Sequence, residues 1–226
     1  MTVAWESCAA TVRRSDPDRY FSALLAPPAR RPHLFALYAL NHELAHVGES
    51  VREPMVRLIR LQWWREALEG AREGRPRDHD VLTAMAEAFA AAELPAGVFD
   101  AMIDARAESP AQLEGAARDA YLDATSGNLM RLASRILGAA HDDLAREAGL
   151  AYGLAGLLRN RAVRDDARLR AEIRRRYDAA RRCPKPGRAL AAFLPAALVP
   201  LYLKNLAPTQ HRKQLALLRG ALLGRV

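Results

Sequence analysis

Apolar side chains recur at the spacing of an α-helix along most of this 226-residue chain, and this periodicity most limits the folds available to it. In the segment that begins near Pro32, for example, Leu34, Leu37 and Leu44 fall on one helical face. Alanine, leucine and arginine are abundant, whereas β-branched and aromatic residues are scarce, and this balance favours helix over strand. We therefore predict an all-α protein without a β-sheet.

Proline and glycine divide the periodic pattern into segments joined by short turns. The predicted helices cover residues 32–48, 54–70, 79–93, 95–108, 112–137, 141–159, 163–182, 187–203 and 209–222. Short connections make neighbouring helices antiparallel, and their aliphatic stripes need one another for burial. Because a chain of this length can bury one sizeable core, we expect a single-domain helical bundle that spans residues 1–226.

The net charge of +8 suits an anionic partner such as a phosphate group, an acidic membrane surface or nucleic acid. The run at residues 161–182 interleaves acids and bases, which is typical of a solvated helix surface. No recognised nucleic-acid-binding motif accompanies it. We therefore expect no nucleic-acid partner.

The cysteines and the apolar segments of the chain indicate the compartment in which the protein is expected to lie. Cys8 and Cys183 are far apart and form no C-x-x-C pattern, which favours a reducing compartment. The N-terminal residues lack the apolar core of a secretory signal. Residues 190–203, the most apolar stretch, are fewer than the roughly 20 that a membrane span needs and include two prolines, so we predict a buried core helix. A cytoplasmic protein with a peripheral contact at the inner face of the membrane fits this pattern.

A metal site is geometrically available on the first long predicted helix. His42, His46 and Glu49 lie at positions i, i+4 and i+7, so they share one face and offer ligands suited to zinc or iron. Glu43 and His46 also form an E-x-x-H pattern, which di-iron bundles place on two helices, but a second copy is missing from the sequence. A polar helix face that meets solvent explains the same residues. We predict no metal, with His42, His46 and Glu49 as the ligands to consider if one binds.

The second predicted helix carries two adjacent tryptophans. Its predicted core stripe comprises Leu58, Leu61, Trp64 and Leu68, widened by Ile59 and Trp63. Arg57, Arg60 and Arg65 on the same helix are predicted to lie at the surface, and phosphate binding is the alternative for them.

Five sequence blocks occur in an order that resembles the squalene/phytoene synthase superfamily. They are DRYFSALLAPPARRPHLFALYALNHELA, RLQWWREALEG, TSGNLMRLASRILG, GLAYGLAGLLR and LVPLYL. The resemblance extends from residue 18 to about residue 206, and it is strongest to the branch that contains mitochondrial complex I assembly factor six and its bacterial relatives. It implies an isoprenoid-synthase-like helical bundle around a central cavity.

The resemblance also implies where catalytic carboxylates should lie. Active members carry two aspartate-rich motifs on facing helices, which hold Mg²⁺ against the diphosphates of two prenyl substrates. The first motif, D-D-x-x-D, falls on residues 45–49, where only Glu49 keeps a carboxylate. The second falls on residues 156–160, where Gly156 and Asn160 replace the asparagine and the first aspartate. These losses predict that ionisation chemistry has been lost.

Beyond the second motif, the chain departs further from the family. Asp165 and Asp166 follow soon after it, but their neighbours are typical of the start of a charged surface helix. Relatives usually continue with a basic turn and another segment before the next helix, whereas Asn160 runs directly into Arg161 here. We predict that a loop-plus-helix segment is missing at this point.

If the family's cavity persists, the resemblance assigns its lining to the motif helices. The lining residues would be Tyr38, Asn41, Ala45, Thr125, Asn128, Met130, Tyr152, Gly153, Gly156 and Arg159. The small residues at positions 125–127 allow either a close approach of two helices or room for a ligand chain.

The resemblance and the missing carboxylates together favour a non-catalytic protein without a cofactor. It would act in respiratory complex I assembly by binding a protein partner, or would bind a prenyl lipid. The alternative is a Mg²⁺-dependent prenyl transferase that condenses prenyl diphosphates to a squalene- or phytoene-like product, with metal ligands drawn from His46, Glu49, Asp165 and Asp166. A metal- or nucleic-acid-binding bundle unrelated to isoprenoids is the third interpretation.

Overall fold

The computed structural model describes residues 3–51 and 53–226, and these residues form helices and turns without a β-strand. The α-helices of this part are α1 Val3–Ser15, α2 Pro17–Leu24, α3 Arg31–Ser50, α4 Pro54–Arg72, α5 Asp80–Ala91, α6 Ala96–Ala105, α7 Gly115–Leu122, α8 Asn128–Ile136, α9 Asp142–Arg159, α10 Ala167–Arg182, α11 Leu190–Phe193, α12 Val199–Lys204 and α13 Gln210–Leu223. A π-helix, Asp123–Gly127, joins α7 to α8, and short 3₁₀ turns occur at several connections. The predicted all-α fold is confirmed.

The helices form two compact units, Met1–Ser109 and Pro110–Val226. In the first unit, α3 is the central helix and packs against α1, α2, α4 and α5. Residues 34–40 of α3 are buried without interruption, because neighbours surround this part of the helix. In the second unit, α9 is central and packs against the π-helix and against α7, α8, α10 and α12. Each unit therefore builds its core around the helix that carries one of the two family motifs.

Two N-terminal helices, α1 and α2, were not among the predicted ones. Helix α1 buries only Ala4, Cys8 and Val12, a narrow stripe of small side chains that gives a faint periodic signal. Helix α2 begins with Pro17, and the side chain of Asp16 caps it by accepting a hydrogen bond from the backbone N–H of residue 19 at 3.1 Å. The capping pattern was the available signal for this helix.

Other boundaries differ because backbone irregularities interrupt the apolar periodicity. The predicted helix at residues 112–137 is α7, the π-helix and α8 in the structure. The predicted helix at 187–203 is divided into α11, α12 and two 3₁₀ turns, since Pro195 and Pro200 cannot donate backbone hydrogen bonds. The charged helix α10 begins at Ala167 rather than at residue 163.

The apolar segment before α13 belongs to the core of the second unit. Gly187–Lys204 is the one stretch of the described residues that is long and apolar enough to cross a membrane by length and composition, and 56% of it is buried in the protein. Phe193, Leu194, Leu198, Val199 and Tyr202 are all buried. The predicted core role of this segment is confirmed, although its predicted continuous helix is wrong.

The predicted core stripe of α4 is wrong in its first half. Leu61, Trp64 and Leu68 are buried, but Leu58 is 50% exposed and Ile59 63% exposed. Trp63 is also partly exposed, at 38%. Residues 53–60 are exposed apart from the half-buried Arg57, so the neighbours of α4 leave the apolar side chains of this part uncovered.

The two cysteines lie in different environments. Cys8 is buried in the first unit, and burial together with the nearby carboxylates of Asp80 and Glu43 raises the pKa of its thiol to about 12. Cys183 is half-buried at the end of α10. Burial and the carboxylates of Asp143 and Glu147 raise the pKa of this thiol above its ordinary value as well.

We expect Cys183 to react with a chromogenic thiol reagent at pH 8 and Cys8 to react only after unfolding. At that pH the Cys8 thiol is almost entirely protonated, because burial raises its pKa, and burial also blocks the reagent. The measurement is the number of thiols titrated before and after denaturant is added, with Cys183→Ser as the control. Fast labelling of the folded Cys183→Ser variant would contradict the buried position of Cys8.

Candidate functional site

Helix α3 carries the first family motif on its less buried side. Leu44 and Val47 face the core of the first unit, whereas His46 and Glu49 are exposed to solvent. A Cβ added at Gly48 would lie 3.2 Å from the backbone oxygen of Arg106, so this position is tight for a larger side chain. The one carboxylate that remains in the motif therefore points into water.

Next to the motif, α3 and α4 enclose a pocket of about 190 Å³, lined by Glu43, His46, Val47, Arg60, Trp63 and Trp64. The rings of the two tryptophans meet edge to face at 5.1 Å, and Trp64 also meets the ring of His79 at 5.3 Å. Outside the pocket, the guanidinium of Arg77 lies over Trp63 at 5.1 Å. One carboxylate, one imidazole and one guanidinium make this pocket mixed in charge.

Of the candidate metal ligands on α3, His42 is half-buried, whereas His46 and Glu49 are exposed. The rings of His42 and His46 lie nearly parallel with centroids 6.3 Å apart. Within residues 3–51 and 53–226, no three histidine, cysteine, aspartate or glutamate side chains come together in a group that could hold a metal ion.

The predicted cavity residues Tyr38 and Asn41 lie in the first unit, and the polar groups of their side chains differ in their hydrogen bonding. The amide oxygen of Asn41 accepts a hydrogen bond from Arg106 at 3.1 Å. Tyr38 is buried, and its hydroxyl finds no hydrogen-bond partner among the described residues. Burial raises the pKa of this hydroxyl well above its usual range, so it stays neutral, and the guanidinium of Arg19 lies 5.9 Å from the ring centroid.

The arginines of α4 mostly bind other parts of the first unit. Arg57 donates hydrogen bonds to the carbonyl oxygens of Val51 and Ala107 at 2.9 and 3.0 Å, so it ties the start of α4 to two neighbouring loops. Arg65 pairs with Asp100 and Asp104 on α6. Arg60 remains exposed at the pocket. Of the three, only Arg60 keeps a position from which it could meet an anion.

In the second unit, most predicted cavity residues around the π-helix are tied to neighbouring groups. The hydroxyl of Thr125 donates to the carbonyl of Tyr121 at 2.8 Å, and the amide oxygen of Asn128 accepts from Arg131 at 2.8 Å. Met130 and Tyr152 are buried. The hydroxyl of Ser126 is buried without a hydrogen-bond partner among the described residues.

The small residues of the π-helix serve a close approach to α9. A Cβ added at Gly149 would lie 2.5 Å from the Cα of Gly127, a distance that no real side chain tolerates against backbone. At Gly153 it would lie 2.8 Å from the side chain of Leu122, whereas at Gly156 it would meet nothing within 4 Å. Of the two interpretations of positions 125–127, close helix packing accounts for the observed contact.

The second family motif falls at the C-terminal end of α9, and the helix stops inside it. Asn160 caps the helix, Arg161 adopts a left-handed conformation with φ of 56°, and the backbone N–H of Ala162 donates to the carbonyl of Leu157 at 2.9 Å. Just before this turn, the guanidinium of Arg159 lies 4.0 Å from the ring centroid of Tyr202. Residues 160–166 then lead directly to α10.

The nearby aspartates have structural partners. Asp165 accepts two hydrogen bonds from Arg170, at 2.5 and 2.7 Å, and this pairing holds the pKa of the carboxyl below its usual value. Asp166 is the N-cap of α10, and its side chain accepts from the backbone N–H of Leu169 at 2.8 Å. Both carboxylates therefore organise the start of α10.

Comparison with known families identifies this chain. The family model of squalene/phytoene synthase matches residues 12–177, well over half of the sequence. The chain belongs to the squalene/phytoene synthase family. The predicted family resemblance is thereby confirmed.

Two solved structures show the fold of the family in this chain. The crystal structure of squalene synthase HpnC from Alicyclobacillus acidocaldarius superposes with a TM-score of 0.70 and 17% identity, over 98% of this chain and 94% of that chain. A dehydrosqualene synthase crystallised with a ligand gives a TM-score of 0.72 and 15% identity, over 97% and 95%. The isoprenoid-synthase-like fold predicted from the sequence is confirmed.

Among curated proteins, the chain is similar to complex I assembly factor 6. The human protein is 29% identical over 158 residues and the bovine protein 28% identical over 158 residues. In both cases the match covers 67% of this chain and 47% of the relative. The chain thus spans about half the length of the curated relatives that it matches.

The family implies Mg²⁺, but the described residues do not fit that ion. Magnesium requires near-octahedral coordination by hard oxygen atoms. The pocket beside the first motif offers only the carboxylate of Glu43, with Arg60 in the same lining. At the second motif, Gly156 and Asn160 carry no carboxylate, and Asp165 and Asp166 are committed to α10.

The sequence did not predict a partly buried charge cluster in the second unit. Arg176 of α10 pairs with Asp119 of α7 and with Glu147 of α9, the latter at 3.2 Å. Burial of the guanidinium opposes its charge, but the two carboxylates outweigh this effect and raise the pKa of Arg176. The sequence shows Arg176 only as one charge in a mixed run, since its partners lie 57 and 29 positions away.

Proposed function

We propose that this chain is a non-catalytic member of the squalene/phytoene synthase family that acts in the assembly of respiratory complex I by binding a protein partner. The observation that carries the proposal is the first motif. Its three aspartate positions hold Ala45, His46 and Glu49, and the one carboxylate among them is exposed to solvent. A site of this composition has too few oxygen ligands to bind Mg²⁺ against a diphosphate.

The second motif supports the same proposal independently. Helix α9 ends at Arg159, and Gly156 and Asn160 stand where active members keep an asparagine and an aspartate. The nearest carboxylates belong to Asp165 and Asp166, and releasing them for metal binding would break an ion pair and a helix cap.

The assembly role rests on similarity to complex I assembly factor 6 over 158 residues. Because only about half of that relative is matched, the partner is proposed at the level of a protein of the complex. We propose a site of action at the cytoplasmic face of the membrane that holds the complex. A prenyl lipid in the position of the family's substrates would be an accessory ligand, and no cofactor is required.

The purified protein is expected to release no diphosphate above background from farnesyl or geranylgeranyl diphosphate in the presence of Mg²⁺. The physical reason is that charge on the leaving diphosphate would remain unneutralised. A colorimetric diphosphate assay measures this, with an active synthase as the positive control. Turnover comparable with that control would establish the prenyl transferase alternative, and His46, Glu49, Asp165 and Asp166 would then be the residues to substitute.

The assembly role is tested in the organism that encodes the chain. Deleting the gene should lower the amount of intact complex I on native gels and the NADH oxidation rate of membranes. Because the proposal assigns no chemistry to Glu49, a Glu49→Gln variant should restore both to the wild-type level. Normal complex I in the deletion strain would disprove the assembly role.

A further inference from the structure

Helix α13 has a packing face and an opposite face that the protein does not cover. On the packing side, Leu217 and Gly220 are buried against the segment Leu194–Leu198. A Cβ added at Gly220 would lie 3.0 Å from the side chain of Leu194 and 3.2 Å from that of Ala197. Helix α13 therefore packs closely on the second unit, and this packing determines which face of the helix points outward.

The outward face of α13 consists of leucines flanked by arginines. Leu215 is 70% exposed, Leu218 48% and Leu222 89%, and their spacing of three and four residues places them in one stripe. Arg212 and Arg219 are exposed along one side of this stripe. An apolar stripe bordered by cations is the pattern of a helix that lies in the interface of a membrane.

The charged side chains in the sequence around α13 are all basic. Residues 179–226 contain no aspartate or glutamate, and their basic residues are Arg181, Arg182, Lys185, Arg188, Lys204, Arg212, Lys213, Arg219 and Arg225. The rest of the chain is close to neutral, so this segment supplies the whole net charge of +8. The match to the family model ends at residue 177, so the family motifs do not account for α13.

We propose that the outward face of α13 docks on a bilayer that contains anionic phospholipids. Leu215, Leu218 and Leu222 would enter the boundary between headgroups and acyl chains, while Arg212 and Arg219 contact lipid phosphates. The inference deepens the membrane-side location proposed above by naming the docking element. It favours a lipid surface over an acidic protein, because the exposed stripe consists of leucines with cations along one side, which matches acyl chains beneath anionic headgroups.

The first half of α4 provides a comparison within the same chain. Met55, Leu58 and Ile59 are also exposed, at 63%, 50% and 63%. However, α4 and its N-cap are mixed in charge, with the exposed carboxylates of Glu53, Glu66 and Glu69 among four arginines, whereas α13 carries basic residues and no carboxylate. Exposed apolar area alone therefore does not distinguish the two helices, whereas the exposed carboxylates of α4 and their absence from α13 do.

The test is flotation of the full chain with vesicles of phosphatidylcholine alone and with vesicles that contain phosphatidylglycerol. We expect binding only to the anionic vesicles and weakening with salt. The pair Arg212→Gln/Arg219→Gln should weaken binding about thirtyfold, since each cation near an anionic surface contributes about a fivefold factor. The pair Leu215→Gln/Leu222→Gln should weaken it about tenfold or more.

Two matched controls separate docking by α13 from general effects. Arg174→Gln/Arg175→Gln removes the same charge from exposed positions of α10, and Met55→Gln/Ile59→Gln removes exposed apolar side chains from α4. Both pairs should bind within about twofold of wild type. Equal losses in these controls, or no binding of the wild type to anionic vesicles, would overturn the proposal.

A second copy of the chain is the competing occupant of this face. Sedimentation velocity of the wild type and of Leu215→Gln/Leu222→Gln tests it without lipid. A dimer that the leucine variant abolishes would assign the face to self-association and overturn the lipid proposal, and a monomer in both cases supports it. Neither result bears on diphosphate release, so failure here is distinguishable from failure of the proposed function.

Discussion

Replacing Gly149 with alanine is expected to lower the free energy of unfolding by about 3 kcal/mol. The new methyl group would lie 2.5 Å from the Cα and 2.6 Å from the backbone nitrogen of Gly127. Backbone atoms of a helix cannot rotate away as a side chain can, so α9 and the π-helix must move apart. Because α9 is the central helix of the second unit, this separation disturbs every helix packed on it. Urea denaturation monitored by circular dichroism measures the change.

Gly156→Ala is the matched control on the same helix. A Cβ there meets no atom within 4 Å, and alanine favours helix over glycine by up to about 1 kcal/mol. The variant should therefore be as stable as wild type or slightly more stable. If Gly149→Ala were equally harmless, the close approach of α9 to the π-helix would be wrong.

Arg176→Gln is expected to destabilise the protein by about 3 kcal/mol, because it removes the guanidinium that pairs with the partly buried carboxylates of Asp119 and Glu147. Glu147 would keep only its longer contact with Arg146, at 4.0 Å. The side chains of Arg176, Asp119 and Glu147 are 14%, 18% and 20% exposed, so water replaces the guanidinium poorly. The same residues join α10, α7 and α9, and the loss therefore weakens three helices together. Thermal and urea denaturation at neutral pH measure the effect.

Arg175→Gln controls for the loss of one positive charge from α10. This neighbour is exposed, and exposed charges contribute within about 0.5 kcal/mol. A third variant, Arg176→Lys, keeps the charge but not the forked geometry that reaches both carboxylates, and it should retain part of the stability. Equal stability of the Arg175 and Arg176 variants would show that the cluster makes no net contribution.

The features of the fold that were predictable are those with local causes. Helical composition and periodicity indicated an all-α chain, and the apolar stretch at residues 190–203 indicated a core segment. The N-terminal helices were missed because the buried stripe of α1 consists of small side chains. The exposure of Leu58 and Ile59 depends on where the neighbours of α4 end, which no property of α4 itself reveals.

The candidate site also has features that could be predicted from the sequence and features that could not. The missing carboxylates of both motifs could be identified in the sequence, because they depend on residue identity alone. The charged residues around Asp165 and Asp166 predicted the start of a surface helix. In the structure Asp165 pairs with Arg170 and Asp166 caps α10, which agrees with that prediction. The triad of Arg176, Asp119 and Glu147 was not predictable, because pairing between helices depends on how they pack.

The π-helix Asp123–Gly127, between α7 and α8, changes the direction in which the following side chains point around the helix axis. Its hydrogen-bonding pattern accommodates one residue more than an α-helical turn does, so every side chain after it is rotated by about 100° relative to a continuous α-helix. Without that offset, Gly127 would turn away from Gly149 and a bulkier neighbour would take its place. The one additional residue of the π-helix thus determines which side chains face α9, and therefore how closely the two helices can pack.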